Sequence, residues 1–336
     1  MAVLGLIDGS SCRIAFLLLP RFSLMAFTAA VEPLRAANQL VGREQYSWHL
    51  VTVDGGPVTA SNDISVNPQG GLDATQPFSM AAVCAGLDPL PIEAEAEKRV
   101  AAWLRRLERS GTRLGGIGSG AFLLARTGLL DGYRCTIHWE NLTGFSETFP
   151  EIDVTSRLFE VDRDRFTCSG GTASLDWALH MIGQDHGPEV SAAVADQFIH
   201  ATPRRPDTPQ RMSLRQRTGV SHPKLLSAIA EIEANLDEPL AQADLAERVG
   251  LSSRQLERLF QIYLGSTPSR YYLEARLKHA RSLLAQTSLS VLEVAVASGF
   301  ASASHFAKCY RELFGYSPRA ERQSVGQGVQ KRRVVW

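Results

Sequence analysis

Two short stretches place reactive side chains where a predicted strand ends. The stretch 116–121 reads Gly-Ile-Gly-Ser-Gly-Ala and brings Ser119 to the start of a helix, beside free backbone N–H groups. The stretch 138–141 reads His-Trp-Glu-Asn and follows another short strand. A nucleophilic Ser119 with His138 as its base would define a hydrolase. The alternatives are structural, because Ser119 also suits a helix cap and His138 a neutral imidazole in the core.

The second stretch also carries groups that bind a cation. The ring of Trp139 attracts an ammonium group by cation–π interaction, and the carboxylate of Glu140 pairs with its charge. Phe22 and Ser23 follow the first predicted strand and are expected to form another wall of the same pocket. Ordinary packing of Trp139 is the alternative to a role in binding.

Another set of polar side chains recurs on two predicted helices near the end of the chain. Arginine and lysine donate to guanine or phosphate and glutamine pairs with adenine, so such helices can read DNA in the major groove. For one helix, a solvated amphipathic face explains the same pattern, but its repetition favours DNA recognition. The predicted DNA contacts are Ser253, Arg254, Gln255 and Arg258 on the first helix and Ser304, His305, Lys308 and Arg311 on the second.

An internal repeat positions these two helices. The stretch from Leu245, LAERVGLSSRQLERLFQIYLGSTPSRYY, matches the stretch from Val294, VAVASGFASASHFAKCYRELFGYSPRAE, with one inserted residue. Each copy contains a short apolar helix, a glycine turn and a second helix that begins at a serine able to cap it. This pattern predicts helix-turn-helix units at about 241–262 and 290–313. A long helix from Pro268 is predicted to fix the separation of the two units.

The first 190 residues alternate between apolar strands and amphipathic helices. Continuous apolar runs such as 13–19 are typical of strands buried on both faces of a parallel sheet. The fold class predicted is therefore a flavodoxin-like α/β domain with a mostly parallel sheet, followed by an all-α domain. The predicted strands are 13–19, 48–53, 80–84 and 113–117, and the predicted helices are 25–40, 93–109 and 121–129.

Charge is distributed unevenly along the chain. The 336 residues contain 35 Lys and Arg and 35 Asp and Glu, for a formal net charge of zero. Residues 241–336 alone contain 14 basic and 7 acidic side chains. A basic module joined to a mildly acidic one is expected of a DNA reader with a separate sensing domain.

Cysteine usage and hydropathy limit the other classes. The five cysteines are widely spaced without a CxxC pair, which supports neither a zinc site nor a disulfide framework. The N-terminus does not resemble a secretion signal, and no apolar run reaches the length of a membrane span. The expectation is a reduced cytoplasmic protein with no metal, no cofactor and no membrane partner.

Residues 224–322 resemble the DNA-binding domain of the AraC/XylS family of transcription regulators. The family's closing signature is present as Gly299-Phe300, Ser304-His305-Phe306, Tyr310-Arg311, Phe314-Gly315 and Ser317-Pro318. This resemblance implies that the repeated helices bind promoter DNA, and that an activator would also contact RNA polymerase.

The first domain resembles the PfpI-like branch of the class I glutamine amidotransferase fold. In that branch the turn at 116–121 carries a nucleophilic cysteine, and here Gly118 occupies its position. The family's orienting acid aligns with Ala26. The loss of both groups predicts a pocket that binds, with Gly118 and Ser119 in its wall, and no enzymatic activity.

The segments 123–132, 136–141 and 166–176 resemble the sensor of the GlxA-type subgroup of AraC regulators, several of which respond to amino acids or to quaternary amines such as carnitine and glycine betaine. The resemblance implies a metabolite-sensing activator, expected to be a homodimer. The alternatives are a PfpI-like hydrolase or amidotransferase fused to a DNA-binding domain and a constitutive regulator with a purely dimerising α/β domain. The predicted division is a sensor at 1–200, a linker at 201–222, a DNA-binding domain at 223–322 and a disordered tail at 323–336.

Overall fold

The computed structural model describes residues 11–73, 76–86 and 92–326. The chain divides between Gln210 and Arg211 into two compact units. This division lies inside the predicted linker 201–222, which is not a plain connector because it contains helix α7 (Leu214–Thr218). The last described helix reaches Gly326, so residues 323–326 of the predicted tail are helical. The rest of that tail lies outside the described residues.

The first unit is built on a six-stranded sheet in the order β2-β1-β5-β6-β10-β9. All neighbours in it are parallel except β9 and β10. The strands of this unit are β1 (Cys12–Leu18), β2 (Tyr46–Val51), β3 (Val58–Thr59), β4 (Ser65–Val66), β5 (Met80–Cys84), β6 (Arg113–Ile117), β7 (Cys135–Thr136), β8 (Val154–Thr155), β9 (Phe159–Asp162) and β10 (Arg165–Cys168).

Helices cover both faces of this sheet, because successive strand residues point to opposite sides. Ile14 and Phe16 pack on the side of α1, α5 and α6, whereas Ala15 and Leu17 pack on the side of α2 and α3. The helices are α1 (Leu24–Val41), α2 (Ala94–Arg109), α3 (Gly120–Arg126), α4 (Leu142–Thr148), α5 (Ala173–His186) and α6 (Pro188–Gln197), with a 3₁₀ turn at Trp139–Asn141.

The predicted α/β class and mostly parallel sheet are confirmed, with element boundaries shifted by a few residues. The hairpin of β9 and β10 was not predicted, although β10 lies inside the sheet and pairs with β6 on its other edge. The ring of Phe166 on β10 stacks on Trp177 of α5 at 4.9 Å between centroids, which fixes α5 against this strand.

The second unit is helical and contains two apolar cores. The first core is centred on Leu256 and Phe260 and the second on Phe306 and Tyr310. Helix α11 supplies Tyr272 to the first core and Leu277 to the second, so one rigid helix joins the two. The helices after α7 are α8 (Pro223–Ala234), α9 (Gln242–Arg248), α10 (Ser253–Leu264), α11 (Pro268–Gln286), α12 (Val291–Ala297), α13 (Ala303–Phe314) and α14 (Pro318–Gly326).

Within the described ranges, we find no helix that combines the length and apolar character needed to cross a membrane.

Candidate nucleic-acid interface and effector pocket

Helix α10 begins at a reciprocal cap that fixes its first turn. The Ser252 hydroxyl accepts from the backbone N–H of Gln255 at 3.3 Å, while the Gln255 side-chain oxygen accepts from the backbone N–H of Ser252 at 2.9 Å. Leu256 and Phe260 are fully buried beneath the helix. The first turn therefore holds α10 rigidly, with its polar side chains on the outside.

Gln255 was predicted to contact DNA, but its side chain is used in this cap. Its side-chain oxygen also accepts from the Ser252 hydroxyl at 3.1 Å, so the atom that would accept from adenine already has two donors. Pairing with a base would require the loss of these bonds. Gln255 remains exposed, but in this structure its amide stabilises the start of the helix.

The face of α10 opposite the core includes Gln261, which was not among the predicted DNA contacts. Because successive helix residues are rotated by about 100°, positions 254, 258 and 261 point away from Leu256. Arg254, Arg258 and Gln261 are all exposed there. The repeat contained the signal for Gln261, since the register that aligns Leu256 with Phe306 also aligns Gln261 with Arg311.

Helix α13 presents the equivalent face of the second copy. Ser302 caps it by accepting from the backbone N–H of His305 at 3.4 Å. The Nε2 of His305 lies 3.3 Å from the sulfur of Cys309, so this imidazole packs along its own helix although it is exposed. The residues that project opposite the buried Phe306 are Ser304, Lys308 and Arg311, all of them exposed.

In the first unit, β6 ends in a sharp turn at Gly118, the position predicted to have lost a nucleophile. We call this turn the elbow. Gly118 has φ +66° and donates its N–H to the carbonyl of Cys168 at 2.9 Å. A Cβ at this glycine would lie 2.8 Å from the carbonyl oxygen of Ala85, closer than real Cβ contacts. The elbow is therefore closed to any side chain in this conformation.

The structure brings several predicted pocket positions to this elbow. A Cβ built on Gly170 would lie 3.2 Å from Cα of Gly118 and 3.7 Å from Cβ of Ala26. The position aligned with the acid thus faces the elbow but carries a methyl group. Ser23 caps α1 by accepting from the N–H of Ala26 at 3.2 Å, and Phe22 beside it is fully buried.

Ser119 occupies the N-cap position of α3, but its hydroxyl makes no capping bond. The expectation that this side chain caps the helix was therefore wrong. Its oxygen is buried and is without a hydrogen-bond partner in the described structure. A buried hydroxyl oriented by no base lacks the activation that a serine nucleophile requires.

The contacts of His138 are local. Its Nδ1 accepts from the backbone N–H of Glu140 at 3.3 Å, and its ring lies 5.5 Å from the ring of Trp139. Burial lowers the pKa of His138 to about 4, so the imidazole is neutral at neutral pH. These contacts support the structural interpretation of His138 and do not connect it to Ser119 or Gly118.

The thiols of the first unit are poor nucleophiles. Burial raises the pKa of Cys168 to about 11 and that of Cys12 to about 11, so both are protonated at neutral pH. All five cysteines are free and buried. Among the described residues, no group of three or more His, Cys, Asp or Glu side chains is arranged to hold a metal ion.

Comparison with known proteins matches both units. Residues 12–184 match the DJ-1/PfpI family, and residues 245–324 match the helix-turn-helix domain family. The HTH-type transcriptional regulator GbdR of Pseudomonas aeruginosa is 48% identical over 94% of this chain and 86% of its own length. The HTH-type transcriptional regulator GlxA of Rhizobium meliloti is 39% identical over 94% of this chain and 96% of its own.

A solved structure supports the fold of the first unit. The crystal structure of an AraC family transcriptional regulator from Pseudomonas putida is similar with a TM-score of 0.51 and 27% identity, over 56% of this chain and 99% of that one. Together with the two capped helices, these matches define a DNA-binding transcription regulator. The chain belongs to the AraC/XylS family, in the GlxA-type subgroup that joins a PfpI-like domain to the DNA-binding domain.

Proposed function

We propose that this regulator is an activator controlled by a small metabolite, that its elbow pocket binds this metabolite without chemistry, and that it acts on promoter DNA in the cytoplasm as a homodimer. The observation that carries the proposal is the elbow itself. Gly118 preserves the backbone of a reactive turn, while the thiol and the acid are replaced by hydrogen and by Ala26. Such a site can select a ligand but has no group to transform it.

We infer that α10 and α13 enter successive major grooves about 34 Å apart on one face of the duplex. Arg254, Arg258 and Gln261 face the DNA in one groove, and Ser304, Lys308 and Arg311 face it in the other. Ser253 and His305 lie at the edges of these faces and are assigned to the phosphates or flanking bases. As an activator, the DNA-bound chain would recruit RNA polymerase.

The DNA assignment is tested by selecting binding sites from a random pool with the full chain. We expect Arg254→Ala or His305→Ala to weaken binding to the selected DNA by about 1 to 3 kcal/mol if that residue reads a base, with little change on random DNA. Equal losses on both DNAs would assign the residue to a phosphate contact instead.

We propose an amino acid or a quaternary amine, such as carnitine or glycine betaine, as the effector. Trp139 and Glu140 supply the aromatic face and the carboxylate that suit an ammonium group, and Phe22, Ser23, Gly118, Ser119 and His138 complete the proposed pocket. A bound ligand at a hundred times its dissociation constant adds about 2.7 kcal/mol of stability.

Thermal unfolding of the full chain with each amine tests this assignment. We expect one amine to raise the melting temperature of the wild type and to fail on Trp139→Ala. If no compound of this class stabilises the wild type, the amine assignment is wrong. An esterase activity that disappears in Ser119→Ala would instead establish the hydrolase alternative.

A further inference from the structure

The last residues of the first unit are held in an unusual way. None of residues 201–210 is buried, and their composition is typical of a solvated connector. Hydrogen bonds nevertheless fasten this segment to the α/β fold at three points. We call residues 200–210 the latch segment; at Arg211 the chain passes into the second unit.

The first anchor is a buried carboxylate. Asp176, in the first turn of α5, has a fully buried side chain. It accepts from the backbone N–H of Arg204 at 2.7 Å, from Nη2 of Arg204 at 2.6 Å and from Nε2 of His200 at 2.9 Å. The Asp176 carboxylate and its donors hold one another in place. Loss of Arg204 would leave the buried negative charge uncompensated.

The stretch 169–172 connects this anchor to the elbow. Arg204 also donates from Nη2 to the hydroxyl of Thr172 at 2.7 Å. Thr172 ends the stretch 169–172, in which Gly170 packs directly on Gly118. A movement of this stretch would therefore displace Thr172, one partner of Arg204, next to the first turn of α5 that carries Asp176.

The second anchor lies beside the other wall of the proposed pocket. The side-chain amide of Gln210 donates to the carbonyl of Ile137 at 2.9 Å and to the carbonyl of Arg157 at 2.7 Å. Ile137 immediately precedes His138. Between the two anchors, the backbone N–H of Leu158 donates to the carbonyl of Pro206 at 2.9 Å.

The segment is attached mainly through these polar contacts. Between the latch segment and helices α5 and α6 lies an open groove of about 710 Å³, lined by Phe159, His180 and Pro203 among others. With no buried apolar side chain in 201–210, little hydrophobic free energy opposes detachment. The attachment therefore depends on the anchors.

We propose that the latch segment is the element through which the pocket controls DNA binding. This inference rests on the proposed function of the elbow pocket. With both anchors closed, the connection between the units is short. When a ligand displaces residues 169–172 or the chain at Ile137, the anchors open and free a stretch of about ten residues. Three of them are prolines, so the stretch spans up to about 30 Å when extended. The latched state is the one with low DNA affinity.

The test compares Arg204→Ala with Arg205→Ala in the full chain. The two arginines are adjacent, but Arg205 is exposed, and among the described residues its side chain pairs with Asp207 at 3.2 Å and does not reach Asp176. We expect Arg204→Ala to speed amide hydrogen exchange in peptides covering 200–210 and 156–160 at least tenfold. We also expect this variant to bind the selected DNA at least fivefold more tightly than wild type without any effector, with Arg205→Ala unchanged in both.

Gln210→Ala provides a second, independent opening of the latch with the same expected direction. Wild-type exchange rates in Arg204→Ala would overturn the proposal, as would faster exchange with unchanged or weaker DNA binding. Failure of the effector pocket is seen separately, as the absence of thermal stabilisation of the wild type by any amine. Failure of DNA recognition is seen as no selected sequence from the wild type.

Discussion

The two helix-turn-helix copies share one sequence pattern but are fixed in the fold differently. In the first copy, the turn at Gly250 is open, and a Cβ there would meet only the flexible end of Lys224 at 3.4 Å. In the second copy, a Cβ on Gly299 would lie 2.7 Å from the ring of Pro239 and 2.8 Å from the carbonyl of Asp237. The second turn is thus packed against the loop between α8 and α9.

The second turn is also held by more side-chain contacts than the first. Arg276 of α11 donates to the carbonyls of Ser298 at 2.8 Å and Gly299 at 2.5 Å and lies over the ring of Phe300 at 4.1 Å. Within the described ranges, the side-chain hydrogen bond to the first turn comes from the exposed Lys224, which donates to the carbonyl of Gly250 at 2.5 Å. The turns at Gly250 and Gly299 therefore share the same sequence spacing but are not stabilised by equal interactions.

The largest expected difference is between Gly299→Ala and Gly250→Ala. Both glycines have positive φ, +72° and +65°, so each substitution costs about 1 to 2 kcal/mol in backbone strain. The backbone clash at Gly299 adds about 1 to 3 kcal/mol. We expect α12 and α13 to lose about 2 to 5 kcal/mol of stability in Gly299→Ala, measured by hydrogen exchange of their amides under increasing urea. Equal losses in both variants would remove the distinction between the turns.

The next prediction compares two variants, each of which lacks the side chain that holds one of the turns. Arg276→Ala is expected to destabilise the second copy by about 2 to 3 kcal/mol, because two charge-assisted hydrogen bonds and a cation–π contact disappear. Lys224→Ala, at the exposed turn, should cost less than about half of this. The same exchange experiment measures both. A larger loss of stability in Lys224→Ala than in Arg276→Ala would show that the first turn is the more important of the two for stability.

The two exposed faces differ at the position that starts them, Arg254 on α10 and Ser304 on α13. A bidentate arginine contact to guanine contributes about 1 to 3 kcal/mol of discrimination, whereas a serine has a single hydroxyl to offer. We therefore expect Arg254→Ala to relax base preference in its half of the selected site more than Ser304→Ala does in the other half. A repeated selection with each variant measures this preference directly.

The smallest effect is expected at Gln255, the third residue of α10. Gln255→Ala should cost about 0.5 to 1 kcal/mol of helix stability by removing the reciprocal cap, and Gln255→Glu should retain the cap. Base preference should survive in both variants, since the Gln255 side-chain oxygen is already occupied. A loss of preference for adenine in Gln255→Glu would show that this amide leaves the cap and reads DNA.

Local sequence was sufficient where neighbours along the chain decide the conformation. The serine caps at Ser252 and Ser302 and the helices after them follow from contacts within three or four residues. The empty elbow was also readable, since Gly118 lacks a side chain whatever surrounds it. The expected cap by Ser119 failed because the fold turns its hydroxyl into the interior, where the described chain offers it no partner.

The sequence by itself determined the two-domain class, the repeated helix-turn-helix pattern and the glycine at position 118, because each depends on residue type and short spacing. Only the tertiary structure decided which repeat glycine is packed, and that Arg204 of a connector-like stretch reaches a buried carboxylate. Asp176 and Arg204 are 28 positions apart. No local periodicity joins such residues, and their contact exists only because the tertiary fold brings the first turn of α5 and the latch segment together.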